Sequence, residues 1–260
     1  MKNLIIVFGV EFMKIRKSKI LLVTIMIFTF IPLMMGLMLF ISRNPEIAEK
    51  LGIIGTKAKM FGENDWSGYF SLLNQSMASI GLIGFGFVTS WVFGREHIDR
   101  TMKDILALPI PRSSIVLAKI IISFIWSILL AAILYMVGIS LGIAMRLPGL
   151  SGETFSHFSS NFFITALLTL LLSSPISWLA GYSRGIIAPL GFVIFAMIMA
   201  QFAGLIGMGP YFPWSVPGLY SVDKDLPGFQ LHLSSYLILL LTFVLGYMAT
   251  IRWWNHADHH

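Results

Sequence analysis

The 260-residue sequence contains no cysteine. That excludes disulfides, thiolate nucleophiles and cysteine-based metal sites. Charge is scarce as well: only 12% of residues are Asp, Glu, Lys or Arg, where a soluble globular domain carries about a quarter. A soluble domain, a disordered chain and a coiled coil are excluded together, since each needs abundant charge. No His-Glu-x-x-His occurs, so a zinc protease has no ligand set. Gly-x-x-x-x-Gly-Lys-Ser/Thr is also missing, and Gly52-Ile53-Ile54-Gly55-Thr56-Lys57 has the wrong spacing to cradle phosphates. What the chain does have is apolar surface: 57% of residues are hydrophobic and the mean hydropathy is +0.83. It is an integral membrane protein.

A hydrocarbon core roughly 30 Å thick needs about 20 apolar residues per helix. Six charge-free apolar runs qualify: Ile20–Ile41, Phe70–Phe93, Ile120–Met145, Phe162–Ala180, Ile186–Met208 and Leu233–Ile251. An even number of spans puts both termini on one side. With the termini inside, twelve Lys and Arg fall on inner segments and six on outer ones, so the basic residues predict cytoplasmic termini. The acidic residues lean the other way, five inside and seven outside. The net charge of +6 therefore reads as an orientation signal, not as a nucleic-acid footprint. The expected fold is an all-α polytopic membrane protein, a single domain over 1–260 with a surface segment at 1–18 and a six-span bundle at 20–251. No repeat, linker or second domain is detectable.

The N-terminal stretch predicts an amphipathic interfacial helix, with Leu4, Phe8, Phe12 and Ile15 at helical spacing and Lys14, Arg16 and Lys17 able to meet anionic headgroups. It reads equally as an orientation anchor or as an elbow against the bundle. Ser42–Tyr69, the first outer loop, shows no metal-ligand or nucleophile spacing. The last outer loop packs Tyr211, Phe212, Trp214 and Tyr220 and the prolines 210, 213 and 217 into twelve residues. That density predicts a rigid structure: an aromatic belt, an outward gate or a short re-entrant hairpin. Between spans two and three, positions 95–108 predict a short inner helix with Ile98, Met102, Ile105 and Leu106 on one side. Glu96 with Arg100, and Arg100 with Asp104, stand four apart and can pair. Pro109 and Pro111 end that helix, and Ser113 or Ser114 can cap the next. Such a segment suits docking of a soluble partner, or is a solvated loop.

At these residues the sequence resembles the ABC-2 family of ATP-binding-cassette transporter permeases, through Glu96, Thr101, Leu106, Pro109, Arg112 and Lys119. Arg100 stands where the family usually has Gly, and Pro111 where a small polar residue is usual. Glu11-x-x-Lys14-x-Arg16-Lys17-Ser18, the Ser183-Arg184-Gly185 turn and Tyr211-Phe212-Pro213-Trp214 add a likeness to the permeases of bacitracin and lantibiotic self-protection exporters. The resemblance implies a permease subunit of an ATP-driven exporter in the bacterial cytoplasmic membrane, not itself an enzyme. It would move an amphiphilic substrate such as a peptide antibiotic, a lipid or a hydrophobic drug out of the cytoplasm or inner leaflet. It implies no cofactor on this chain, ATP and Mg on a separate ATPase chain, a second permease copy or a paralogue as partner, and membrane lipids around the bundle. It further implies that Glu96, Arg100, Thr101, Lys103, Asp104, Pro109, Arg112 and Lys119 couple to the ATPase, that Glu11, Lys14, Arg16 and Lys17 belong to the interfacial helix, and that Tyr211, Phe212, Pro213 and Trp214 form an outer gate.

Two other readings compete. An ion-coupled secondary transporter would place ionisable residues at mid-membrane, whereas the six runs hold mainly hydroxyls, with Asn74 and Gln75 near an outer end and Gln201 in span five. A non-transporting anchor for a soluble complex needs nothing beyond the spans. His256, His259 and His260 crowd the tail and read as a solvated terminus. Asp223-Lys224-Asp225 reads as a polar turn before Pro227-Gly228.

Overall fold

The computed structural model describes residues 2–44, 46, 65–222 and 230–256. Most of the first outer loop, Asp223-Lys224-Asp225 and the last four residues lie outside the described residues. Every regular element described is helical. The first, α1 (Lys2–Arg16), is followed by α2 (Lys19–Arg43), α3 (Trp66–Ile98), α4 (Met102–Leu106), α5 (Arg112–Ala144), α6 (Gly152–Leu171), α7 (Ser174–Tyr182) and α8 (Ile187–Leu205). Two 3-10 turns, Gly209–Tyr211 and Pro213–Ser215, then lead into α9 (Val216–Ser221), and α10 (Leu233–His256) closes the bundle. Six segments are long and apolar enough to cross a membrane: α2, α3, α5, α6–α7 as one, α8 and α10. They coincide with the six runs read from the sequence.

The bundle is built around α3, which packs against α5, α6, α7 and α8. In its most apolar stretch 72% of residues are buried, against 17% for α8. α2 and α10 are also largely exposed, so these three helices are the periphery. At 1.5 Å per residue the 33 residues of α3 and of α5 are each about 50 Å long, well beyond a hydrocarbon core of roughly 30 Å. Their ends therefore project past the apolar layer. Hydroxyls inside the spans find partners across helices: Trp126 Nε1 donates to Thr24 Oγ1 at 3.1 Å, Tyr69 OH to the Gly138 carbonyl at 2.9 Å, and Ser177 and Thr250 share a 2.7 Å bond.

The helix ends follow local chemistry. The Asp65 carboxylate caps α3 by accepting from Gly68 N at 2.8 Å, and Ser151 caps α6 by accepting from Thr154 N at 3.0 Å. Pro175, which has no N–H to donate, sits in the first turn of α7, where the α6–α7 span is interrupted. Three helices stop in the same way, on an arginine in the left-handed region: Arg100 (φ 57°), Arg146 (φ 50°) and Arg184 (φ 53°). Each time the following N–H reaches back over the last turn: Thr101 to Glu96 O, Leu147 to Gly142 O and Gly185 to Ala180 O. That is the termination which glycine normally provides.

The structure departs from the sequence-based expectation at two places. The segment 95–108 is not one helix: residues 95–98 are the last turn of α3, and the left-handed Arg100 separates them from the five-residue α4. Met102 is buried, but Ile98 faces outward. Neither Ser113 nor Ser114 caps α5, which begins at Arg112 directly after Pro111 with no side-chain cap. Proline's fixed φ sets that start by itself.

Candidate functional site

α1, the C-terminal end of α10, the α3–α5 link and the α7–α8 turn meet at one end of the bundle. α1 packs on α5 through a stripe of Val7, Glu11 and Ile15, all buried. The apolar rhythm of this helix thus holds a carboxylate where a third apolar residue would fit. Ser18 then turns the chain in two residues and caps α2, accepting from Ile20 N at 3.1 Å. Arg16 and Lys17 are exposed beside this elbow.

Glu11 meets three other charges there. Lys119, two turns into α5 and fully buried, donates to Glu96 Oε1 at 2.6 Å, to Glu11 Oε2 at 3.3 Å and to the Val92 carbonyl at 2.8 Å. Lys14 donates to Glu11 Oε1 at 2.6 Å and to Glu96 Oε1 at 3.1 Å. Two carboxylates and two ammonium groups therefore close a neutral ring, and all three Lys119 donors are used. Charges this deep are tolerable only when paired and hydrogen-bonded. Burial depresses the Lys14 pKa, but Glu96 and then Glu11 pull the other way and leave it above the ordinary lysine value. Lys14 thus stays charged throughout the neutral range, and its contribution is lost only as pH rises through that raised value. The ring ties α1 to spans two and three.

Around the ring the link is held on two sides. Arg95 Nε pairs with Asp99 at 3.0 Å, and its guanidinium lies 4.8 Å from the Trp91 ring centroid. These are the i, i+4 partners that form; Glu96 is taken by the two lysines, and Arg100 joins neither Glu96 nor Asp104. Arg112 Nη1 donates to the carbonyls of Trp254 and Asn255 at 3.2 and 3.3 Å, capping the C-terminal end of α10 with a cation. Gly94 lies against the α7–α8 turn, where a Cβ would sit 2.7 Å from the Gly185 carbonyl oxygen. Arg100, Thr101, Lys103, Asp104, Leu108 and Pro109 are among the residues exposed on the link. The expected coupling residues thus divide into a buried base (Glu96, Lys119), a strut (Arg112) and an exposed ridge.

The four-charge ring is not legible in the sequence as a unit, since its members stand up to 108 residues apart. One signal was available: Glu11 and Lys119 each interrupt the apolar face of a helix.

At the other end, the segment 209–221 folds back into the bundle. Trp214 packs edge-on against Phe192 with centroids 5.4 Å apart, although Phe192 lies thirteen residues, about 20 Å, from the end of α8. Val216 is fully buried in a cluster with Leu172, Ile176 and Val193, and α9 packs on α6 and α3. The segment thus turns back along the helices, with the backbone path of a hairpin packed inside the bundle. Irregular backbone at such depth needs internal partners: Ser215 Oγ donates to the Gly209 carbonyl and to the Phe212 carbonyl at 2.7 Å. Phe212 and Pro213 are half-buried beside Trp214, and Tyr211 is exposed. A cavity of about 330 Å³ opens between this segment, α3 and α8, with Gln75, Ser79 and Gln201 on its wall. Among the described residues no group of His, Asp or Glu could hold a metal ion.

Comparison with known proteins agrees with this architecture. The family model described as ABC-2 family transporter protein matches residues 7–200. The bacitracin transport permease protein BCRB of Bacillus licheniformis is 26% identical over 184 residues, covering 70% of this chain and 86% of that protein. No solved structure matches the chain. The matched region takes in α1 from Val7 onward, the four-charge ring and the α3–α5 link, and membership of this family implies an ABC ATPase as partner in general. The chain is a multi-pass membrane permease and belongs to the ABC-2 family of transporter proteins.

Proposed function

We propose that this chain is the permease subunit of an ATP-driven exporter in a bacterial plasma membrane, with both termini in the cytoplasm. ATP and Mg bind a separate ATPase that docks on the exposed ridge of the α3–α5 link. The observation that carries this reading is the mounting of α4. Its ridge of Arg100, Lys103 and Asp104 is exposed, while its root is fixed to α1, α3 and α5 by the ring of Glu11, Lys14, Glu96 and Lys119. A push on the ridge is passed to two spans and the interfacial helix as one body, because the ring cannot shear without exposing unpaired charge. Pure electrostatic anchoring would need no such rigid base. The cargo is amphiphilic, since the transmembrane walls supply amides and hydroxyls but no charge to match a naked ion. The bacitracin permease relative supports a peptide antibiotic within that class.

Arg100→Glu combined with Lys103→Glu is expected to abolish co-purification of the ATPase while leaving elution of the permease unchanged, because both side chains are exposed. Pull-down from detergent extract with mass spectrometry of the bound bands checks it. Full retention of a stoichiometric ATPase overturns the docking assignment, and recovery of the chain with no ATPase in any detergent overturns the transporter reading.

Two copies of the chain would pair along α8, whose Gly191 and Gly204 meet nothing within 4 Å and whose Phe195 and Leu205 are exposed. The absence of cysteine makes the check direct. Phe195→Cys in native membranes is expected to give an oxidant-dependent band at twice the 29.0 kDa monomer mass, and Leu129→Cys, exposed on α5, is expected to give none.

A further inference from the structure

Beside the charged ring, a cleft of about 590 Å³ opens between α1, the start of α2 and the end of α3. Lys14, Lys17 and Arg95 line it, with Asp99 the acidic side chain among its lining residues. These cations are not equivalent. Lys14 is already matched by Glu11 and Glu96, whereas Lys17 makes no ion pair among the described residues. Arg95 gives one nitrogen to Asp99, and its Nη1 has no hydrogen-bond partner. The cleft therefore presents surplus positive charge, carried by the exposed Lys17. Its other walls are apolar: Ile20, Trp91 and Ile186. Ile20 opens the first membrane-crossing run, so the cations stand at headgroup depth and the apolar wall at the depth where acyl chains begin.

We propose that this cleft binds an anionic phospholipid from the leaflet on the side of α1 and the C-terminal end of α10. Its phosphate lies between Lys17 and Arg95, and its acyl chains lie along Ile20, Trp91 and Ile186. Basic pockets between membrane helices on one face are suited to anionic headgroups, and a free phosphate would leave the apolar wall without an occupant. The lipid would fill the angle between α1 and α3 and so brace the interfacial helix from outside, as the ring does from within. The site does not depend on transport or on an ATPase.

Native mass spectrometry of the detergent-purified chain tests it, with phosphatidylglycerol and phosphatidylcholine added in turn. Each cation near an anionic surface contributes about a fivefold preference. Lys17→Gln is thus expected to weaken phosphatidylglycerol retention about fivefold, and Lys17→Gln with Arg95→Gln about 25-fold. Arg252→Gln, an exposed basic residue outside the cleft, is expected to leave retention unchanged. Lys17 is exposed and unpaired, so its single variant reads the site even if the double variant folds poorly. Equal retention of the two lipids, no loss in Lys17→Gln, or displacement of phosphatidylglycerol by millimolar inorganic phosphate overturns the proposal, the last by making this a free-anion site.

Discussion

Lys119→Met is expected to lower the stability of the purified chain by about 3–5 kcal/mol, the usual consequence of removing one partner from a buried ion pair. The side chain is fully buried, and Glu96 and Glu11 are nearly so. Without Lys119 the two carboxylates share one ammonium, and a net negative charge stays enclosed. Methionine keeps the volume, so a cavity contributes little. The measurement is an apparent melting temperature by fluorescence-detected size-exclusion chromatography, where the expected fall is about 10 °C. Adding Glu96→Gln restores neutrality, leaving Glu11 with Lys14, and is expected to recover most of the loss. A single variant that melts with the parent, or a double variant less stable than the single, would show that the ring is not the anchor described above.

The second large effect concerns backbone against backbone. Gly246 of α10 faces the α6–α7 break so closely that a Cβ would lie 2.6 Å from Pro175 N and 2.7 Å from the Ser174 carbonyl carbon. No side-chain rotation relieves that contact, so α10 or the break must move. Gly246→Val is expected to cost about 3 kcal/mol or more, at the upper end of overpacking effects. Gly9→Ala, inside α1, is the control: nothing stands within 4 Å of that position, and helix propensity there favours alanine. A Gly246→Val chain that melts within a degree or two of Gly9→Ala would contradict the packing of α10 in the break.

The six spans were legible because a charge-free apolar run has few other readings at that length, and the place of the α3–α5 link followed from its charges. Its internal form did not follow. Spacing favoured Glu96 with Arg100, but a buried carboxylate takes the ammonium groups that the fold brings to it, and Lys14 and Lys119 arrive from other helices. Helical periodicity likewise carried one helix through 95–108, since nothing in an arginine side chain announces a left-handed backbone. The proline-rich segment read as rigid for a sound reason, yet its descent to Phe192 depends on the space left by α3, α6 and α8, which no local signal encodes. Pairwise chemistry between distant helices was invisible; patterns along one helix were not.

Arg100 carries a consequence for movement. A non-glycine residue in the left-handed region sits about 1–2 kcal/mol above its right-handed conformation, so the joint between α3 and α4 is cocked. Straightening it would relieve that strain, at the cost of the Thr101 bond to Glu96, and would run α3 and α4 into a single rod. A load on α4 therefore meets a pre-tensioned latch, while the same load on Arg112 meets a rigid stop at the end of α10. Arg100→Gly would slacken the latch without removing it. The substitution that most relaxes the resting structure would then be the one that least favours its release.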